Sequence, residues 1–344
     1  MRAVMKMAPG PGAEVVANAP EPVAEEGEVL IKIGAAAICG TDAHLYEWNK
    51  SAQDFNPTLP IIMGHECAGH IAAVGKGVQG LKVGDRVSVE THFFCGHCYQ
   101  CRIGNAHNCL NMRLLGLNWD GVFAEYQKVP ASVCFPLPDS IPLEIGSLFE
   151  PAGVSVHALQ RAGNVAANSA LVVGCGPVGL VVIQLLMLYG ASKVIALDLN
   201  PFRRGLAEKL GAVALDPRDT DVVDYCRRTF GRAGGVDVAF ETSGSSAVHQ
   251  MMFEALRREG RMVTVGHPGK EVSVDIAAYI NKKGIALSGI FGRRVWDTWE
   301  TLLALLESGR LDLSWIITHR LPFEDFGKGM ELLKQDAAKV ILHP

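Results

Sequence analysis

Leu171-Val172-Val173-Gly174-Cys175-Gly176-Pro177-Val178-Gly179 decides the fold of the second half of this chain. Three apolar residues of strand type run into G-x-G-x-x-G, and an apolar helical segment follows. Gly174, Gly176 and Gly179 permit a tight turn and let a pyrophosphate approach the N–H groups at a helix start. The motif alone is weak evidence, and its setting between strand and helix strengthens it. The next strand ends at Asp198, 19 residues after Gly179. A carboxylate there can accept hydrogen bonds from both adenosine ribose hydroxyls and would repel a 2′-phosphate, which favours NAD over NADP. Arg203 and Arg204 pull the other way, because an arginine accommodates that phosphate. Asp198 has a plainer reading too, as a cap for the helix beginning near Pro201.

Working outward, Leu171–Val173, Val194–Leu197, Val236–Phe240 and Met262–Val265 read as apolar strands separated by helical segments. Such alternation predicts an α/β fold with a doubly wound parallel sheet covered on both faces. The first 150 residues differ in texture. Val29–Ile33, Ile71–Val74, Arg86–Val89 and Ala124–Val129 read as short strands, with Gly75, Gly77, Gly80 and Gly84 marking turns. Trp296–Ser308 and Phe326–Lys334 read as helices.

At 344 residues the chain suggests about two domains. Apolar residues make up 49% and charged residues 20%, the balance of a packed soluble enzyme. A net charge of −4 gives no electrostatic case for nucleic acid. Nine cysteines, an odd number, suit a reducing, cytoplasmic setting better than a disulfide framework. Met1–Gly12 lacks the apolar core and cleavage site of a signal peptide. Ala170–Ala191 has the length of a membrane span with only Gln184 strongly polar, yet Gly174, Gly176, Pro177 and Gly179 would break a spanning helix. A buried strand, a glycine turn and a buried helix explain the same run, so no membrane partner is expected.

Two groups of residues carry metal-binding chemistry. Cys95, Cys98, Cys101 and Cys109 follow C-x2-C-x2-C-x7-C, spacing that wraps one tetrahedral Zn²⁺ and leaves no position for substrate. Upstream lie Cys39-Gly40-Thr41-Asp42-Ala43-His44 and Gly64-His65-Glu66. Thiolate, imidazole and carboxylate together make a catalytic zinc set with one position open to water or substrate. Singly, Cys39 reads as core and His65-Glu66 as a surface pair.

Cys39-Gly40-Thr41-Asp42, Gly64-His65-Glu66, Val83-Gly84-Asp85-Arg86-Val87, the four-cysteine loop and the glycine turn, in that order, resemble the zinc-dependent medium-chain dehydrogenase/reductase (alcohol dehydrogenase) family over nearly the whole chain. The resemblance implies a GroES-like catalytic domain over residues 1–150, with a structural zinc lobe at about 92–112, and a Rossmann NAD-binding domain over 151–292. Residues 293–344 would return to the catalytic domain. It further implies two Zn²⁺ per chain, NAD, a small secondary alcohol as substrate, and a homo-oligomer, tetramer or dimer. Cys39 and His65 would bind the catalytic zinc, with Glu66 as ligand or near-ligand. Glu150, in Leu148-Phe149-Glu150-Pro151, stands where many members carry another cysteine, as in the polyol and threonine dehydrogenase branch, where the acidic residue reaches the metal directly or through water. It could instead be a solvated turn residue.

By the same resemblance, Thr41 would pass the alcohol's proton through the nicotinamide ribose to His44. Val178 would approach the dinucleotide and Arg203 the adenosine end. Val265-Gly266-His267 and Ile290-Phe291 would line the nicotinamide side. Ala37–His44, Phe123–Tyr126, Gly292-Arg293-Arg294 with Thr298-Trp299, and Ile316–Arg320 are similar to the threonine branch. The implied reaction is L-threonine to 2-amino-3-oxobutanoate, with a sorbitol- or butanediol-like vicinal diol as the alternative. One departure stands out: Ala152-Gly153-Val154-Ser155-Val156-His157 replaces the branch's Phe-Gly-Asn-Ala-Val-His. Outside the enzyme class, a zinc-ribbon nucleic-acid module would need more cations than Lys82, Arg86 and Arg102 supply, and a non-catalytic NAD-binding protein would not need the Cys39 set.

Overall fold

A computed structural model describes the whole chain, Met1–Pro344. Two compact units form, one from Met1–Pro151 with Arg294–Pro344 and the other from Ala152–Arg293.

In the first unit the strand Glu28–Ala37 is central, and Val29, Ile31, Ala35, Ala36 and Ala37 on it are fully buried. One edge pairs antiparallel with Glu66–Val74. The other edge pairs with Tyr126–Pro130 near its start and with Lys339–His343 at its end. Arg86–Val89, Cys134–Pro136 and Ile317–Pro322 complete a seven-stranded sheet. Glu66–Val74 begins five residues before the predicted Ile71, so Glu66 opens a strand. The predicted strand at Ala124–Val129 is Tyr126–Pro130, and the C-terminal helices are Asp297–Glu307 and Phe326–Leu332. The register places Ala37 opposite Glu66 and beside Ile341. Cys39, Glu66 and Lys339 therefore gather at one end of the sheet.

Gly64 sets the entry into Glu66–Val74. Its φ is +90°, and a Cβ there would lie 2.4 Å from the Phe123 ring. An alanine would meet both the left-handed backbone penalty and the ring.

The second unit holds six parallel strands in the order Val213–Leu215, Lys193–Leu197, Ser169–Val173, Val236–Glu241, Leu256–Thr264, Ala286–Gly289. Numbered along the chain, this is 3-2-1-4-5-6, the order of a dinucleotide-binding sheet whose ligand lies at the carboxyl ends of the strands. The apolar run at 170–191 resolves into the strand Ser169–Val173, the glycine turn and the helix Pro177–Leu188. No helix is long and apolar enough to cross a membrane.

Candidate metal centres and dinucleotide site

The cysteine loop gathers its four sulfurs within 4.8 Å of one another. Cys98 Sγ lies 3.5 Å from Cys101 Sγ and 3.8 Å from Cys109 Sγ. A disulfide requires about 2.05 Å, whereas a tetrahedron with arms of about 2.3 Å has edges of about 3.8 Å. The sulfurs thus fit one metal ion. Backbone N–H groups of Cys98 and Cys95 donate to Cys95 Sγ and Cys109 Sγ, each at 3.3 Å. The Asn111 N–H donates to Cys109 Sγ at 3.3 Å. Such donors favour thiolates. The His97 backbone and the Asn111 side chain push the Cys95 thiol down to about 5.

The second donor set is Cys39 Sγ, a His65 ring nitrogen and a Glu66 carboxylate oxygen, all within 4.8 Å of one another. Thiolate, imidazole and carboxylate in a mostly buried setting fit Zn²⁺. Cys39 is the N-cap of the helix Gly40–Glu47. Asp42, in the first helical turn, accepts the Cys39 N–H on Oδ2 at 2.8 Å and turns Oδ1 to His65 Nδ1 at 3.5 Å. One buried carboxylate therefore ties the thiolate's backbone to the imidazole and leaves the other ring nitrogen for a metal. Burial disfavours the His65 cation, but Asp42 and Cys39 outweigh it and raise the imidazole well above its usual pKa. Asp42 was not among the expected site residues. Its sequence signal is an acidic residue three after the N-cap, the capping-box position.

Glu66 and Lys339 form a buried ion pair, with Lys339 Nζ at 2.9 and 2.7 Å from the two carboxylate oxygens. Lys339 also donates to the Ile38 carbonyl at 3.2 Å. Burial alone would lower the Lys339 pKa, and Glu66 reverses that and raises it. Glu150 lies in the first turn of the helix Phe149–Ala162 and is 7% exposed, so it is no solvated turn residue. Its Oε1 accepts the Thr91 hydroxyl at 3.0 Å, and Thr91 Oγ1 also lies 3.0 Å from the His65 carbonyl oxygen. Glu150 falls outside the Cys39–His65–Glu66 set, yet its charge reaches Glu66. Burial raises the Glu66 carboxyl, Lys339 opposes, and Glu150 adds to the rise.

Beside this set is a network that sequence reasoning missed. Glu90, fully buried, accepts the His92 N–H and faces His92 Nδ1 on Oε1, both at 2.8 Å, and accepts Trp299 Nε1 on Oε2 at 3.1 Å. Phe135 and Phe149 pack at a tilt against Trp299, with ring centroids 5.4 and 5.8 Å away. A buried Glu in a short strand run carries no spacing signal, so nothing in the sequence marks it.

Thr41 Oγ1 lies 3.8 Å from Cys39 Sγ. His44, three residues on, shares its helix face. Asn49 Oδ1 accepts the Ala52 N–H at 3.3 Å, which turns the Asn49 amide nitrogen to His44 Nδ1 at 2.8 Å. Nδ1 is then an acceptor, and the neutral ring carries its hydrogen on Nε2.

In the second unit, a Cβ on Gly179 would lie 1.9 Å from the Gly174 carbonyl oxygen, so the helix start rests directly on the turn. Gly174 has φ +99° and packs against Ser243. Gly176, the helix N-cap, has open space where its Cβ would be, a cradle suited to a pyrophosphate. Val178, in that first turn, accepts the Ser155 hydroxyl at 2.9 Å. Asp198 Oδ2 accepts the Cys175 N–H at 2.7 Å and Oδ1 the Asn200 N–H at 2.8 Å. The helix Pro201–Lys209 is capped by Asn200, which accepts from Phe202 and Arg203, so Asp198 is not its cap. A carboxylate offers about four acceptor sites, so two remain for a ribose. Val265 and Gly266 follow the strand Leu256–Thr264 and donate their N–H groups to the Glu241 carbonyl at 2.8 and 3.2 Å. Ile290 and Phe291 follow the neighbouring strand, and the Phe291 ring meets His267 edge-on at 6.1 Å. These residues share the carboxyl edge of the sheet with the glycine turn.

Residues 25–139 match the alcohol dehydrogenase GroES-like domain and residues 177–308 the zinc-binding dehydrogenase domain. The chain is 44% identical to the L-threonine 3-dehydrogenase of Caldanaerobacter subterraneus subsp. tengcongensis, covering 100% of this chain and 99% of the relative. It is 44% identical to the L-threonine 3-dehydrogenase of Pyrococcus horikoshii, covering 97% and 95%. Among solved structures, an alcohol dehydrogenase of Thermus sp. ATN1 superposes with a TM-score of 0.91 at 30% identity, covering 100% and 99%. The 2R,3R-butanediol dehydrogenase of Bacillus subtilis superposes with a TM-score of 0.88 at 33% identity, again covering 100% and 99%.

Removing Lys339 strands a buried carboxylate. Lys339→Met is expected to lower stability by about 3–5 kcal/mol, measured by denaturant unfolding, and to loosen metal retention on chelator challenge. Native-like unfolding and retention would show that the pair holds nothing.

Proposed function

The chain belongs to the zinc-binding dehydrogenases with an alcohol dehydrogenase GroES-like domain, and we propose that it oxidises the secondary hydroxyl of L-threonine to give 2-amino-3-oxobutanoate and NADH. Zinc-dependent alcohol oxidation with NAD is the activity of the class. The observation that carries the reading is the buried Cys39–His65–Glu66 set in a chain whose full-length relatives are named L-threonine 3-dehydrogenases.

Cys39, His65 and Glu66 would hold the catalytic metal, with Asp42 and Lys339 fixing their directions. A zinc ion bound there supplies Lewis acidity, lowering the pKa of an alcohol towards neutrality. Glu150, at the rim of the set, tunes its charge. Thr41 and His44 would carry the alcohol's proton outward, with the nicotinamide ribose between them. Asn49 holds the His44 ring through Nδ1 and so fixes its orientation on the helix. Gly174, Gly176, Val178 and Gly179 would seat the pyrophosphate and Asp198 the ribose. Arg203 would stand by the adenosine, and Val265, Gly266, His267, Ile290 and Phe291 would seat the nicotinamide, which would supply the hydride acceptor.

A vicinal diol is the second reading. It is favoured by the butanediol dehydrogenase likeness, and the Ala152–His157 stretch departs from the threonine branch. In that stretch Gly153 packs on the buried Arg293, a Cβ at 153 lying 3.1 Å from Arg293 Cδ.

NAD reduction should be fastest with L-threonine in a panel that includes L-serine, sorbitol, threitol, inositol and 2,3-butanediol. Activity with a diol and none with L-threonine would reject the first reading for the second. His44→Ala should lower kcat by about two orders of magnitude, within the range of general acid–base groups, at unchanged zinc content. Wild-type turnover would remove His44 from the proton path.

A further inference from the structure

We propose that Asp216 is a cofactor-specificity residue: it holds Arg204 and Arg218 as its own counterions and so withholds their positive charge from a 2′-phosphate at the adenosine end. The inference rests on the reading of Asp198 as the ribose-binding carboxylate. Lys193–Leu197 and Val213–Leu215 pair in parallel with Leu197 opposite Leu215. The next residues, Asp198 and Asp216, therefore stand side by side at the carboxyl ends of adjacent strands. Arg204 reaches both: its Nη1 donates to the Asp198 carbonyl at 2.8 Å and to Asp216 Oδ2 at 2.9 Å. Arg218 approaches from the other side, with Nε at 2.9 Å from Asp216 Oδ1 and Nη2 at 2.9 Å from the Leu199 carbonyl.

Both guanidinium groups are thus at the Asp198–Leu199 corner, where an arginine would accommodate a 2′-phosphate. Both are spent on one carboxylate and on backbone carbonyls. The Asp216 side chain is only 9% exposed, and the Arg218 guanidinium beside it holds its carboxyl well below the usual carboxylate range. Charge bookkeeping points the same way. Asp198 and Asp216 match Arg204 and Arg218 unit for unit, and neutralising Asp216 leaves this foursome one positive charge in excess. Arg204, one of the two arginines that make the sequence ambiguous between NAD and NADP, is, in the folded chain, already answered by a carboxylate that no dinucleotide motif contains.

The test uses binding, with no turnover required. Isothermal titration of the whole protein with 5′-AMP and with adenosine 2′,5′-bisphosphate reports the effect of the 2′-phosphate alone. In the native chain 5′-AMP should bind more tightly. Asp216→Asn should shift the affinity ratio by about tenfold towards the bisphosphate, one charge interaction at a partly exposed site. That shift should shrink as salt rises, and Arg204→Gln in the Asp216→Asn background should reverse it. Asp216→Ser repeats the measurement should the amide misfold, with thermal melting as the folding check. A ratio unmoved by either substitution, or a shift that survives both high salt and Arg204→Gln, would overturn the proposal. Native protein that binds no 5′-AMP would instead sink the ribose reading beneath it.

Discussion

A carboxylate buried at the end of a sheet must find a partner, and the Glu66–Lys339 pair meets that demand in the first unit. Both ions are removed from water at a cost that only close geometry repays. Lys339 lies 273 residues beyond Glu66 in the chain, so the pair welds the C-terminal strand to the start of Glu66–Val74, across the end of the strand that leads into Cys39. The local order of the metal site follows. Ala37 stands opposite Glu66, the chain turns at Ile38, and Cys39 opens a helix whose first acidic residue reaches back to His65. Asp42 orients Cys39 and His65, Lys339 neutralises Glu66, and neither is an expected ligand.

The two halves of the chain were legible to different degrees. Dinucleotide-binding chemistry has a local signature, because a turn, a helix start and a carboxylate must follow one another at short range. Gly174, Gly176, Gly179 and Asp198 were therefore readable as a group, and the parallel strands around them announced themselves by their apolar runs. The strands Val213–Leu215 and Ala286–Gly289 did not. The first is three residues long and partly buried, and the second is a mostly exposed edge, so neither has the periodicity of a core strand. In the first unit, Cys39 and His65 could be suggested by residue type and by resemblance. Their meeting depends on antiparallel register between Glu28–Ala37 and Glu66–Val74, a non-local property that spacing cannot encode. Glu90 and Thr91 were invisible for the same reason: their partners Trp299 and Glu150 arrive from distant sequence.

In the proposed assignment the four-cysteine loop and the Cys39 set divide zinc chemistry between them. Four thiolates fill a tetrahedron and leave no room for a substrate, whereas thiolate, imidazole and carboxylate leave a position open. A closed site can only hold the loop together. The open one sits among Glu150, Thr91, Thr41 and Asp42, groups able to accept or carry protons. On this assignment the sequence feature that is easiest to see marks the inert metal, and the reactive one is assembled from Cys39 and from His65 and Glu66, 26 and 27 positions further along the chain.

Zinc content combined with zinc-edge X-ray absorption tests this division most directly. Protein purified without chelators should carry two zinc ions per chain. One shell should be all sulfur at about 2.3 Å, and the other should mix sulfur with nitrogen and oxygen at about 2.0–2.2 Å. Substituting Cys39→Ser should remove only the mixed shell. One zinc per chain in a purely sulfur environment, unaltered by Cys39→Ser, would contradict the assignment of Cys39, His65 and Glu66 as a metal centre.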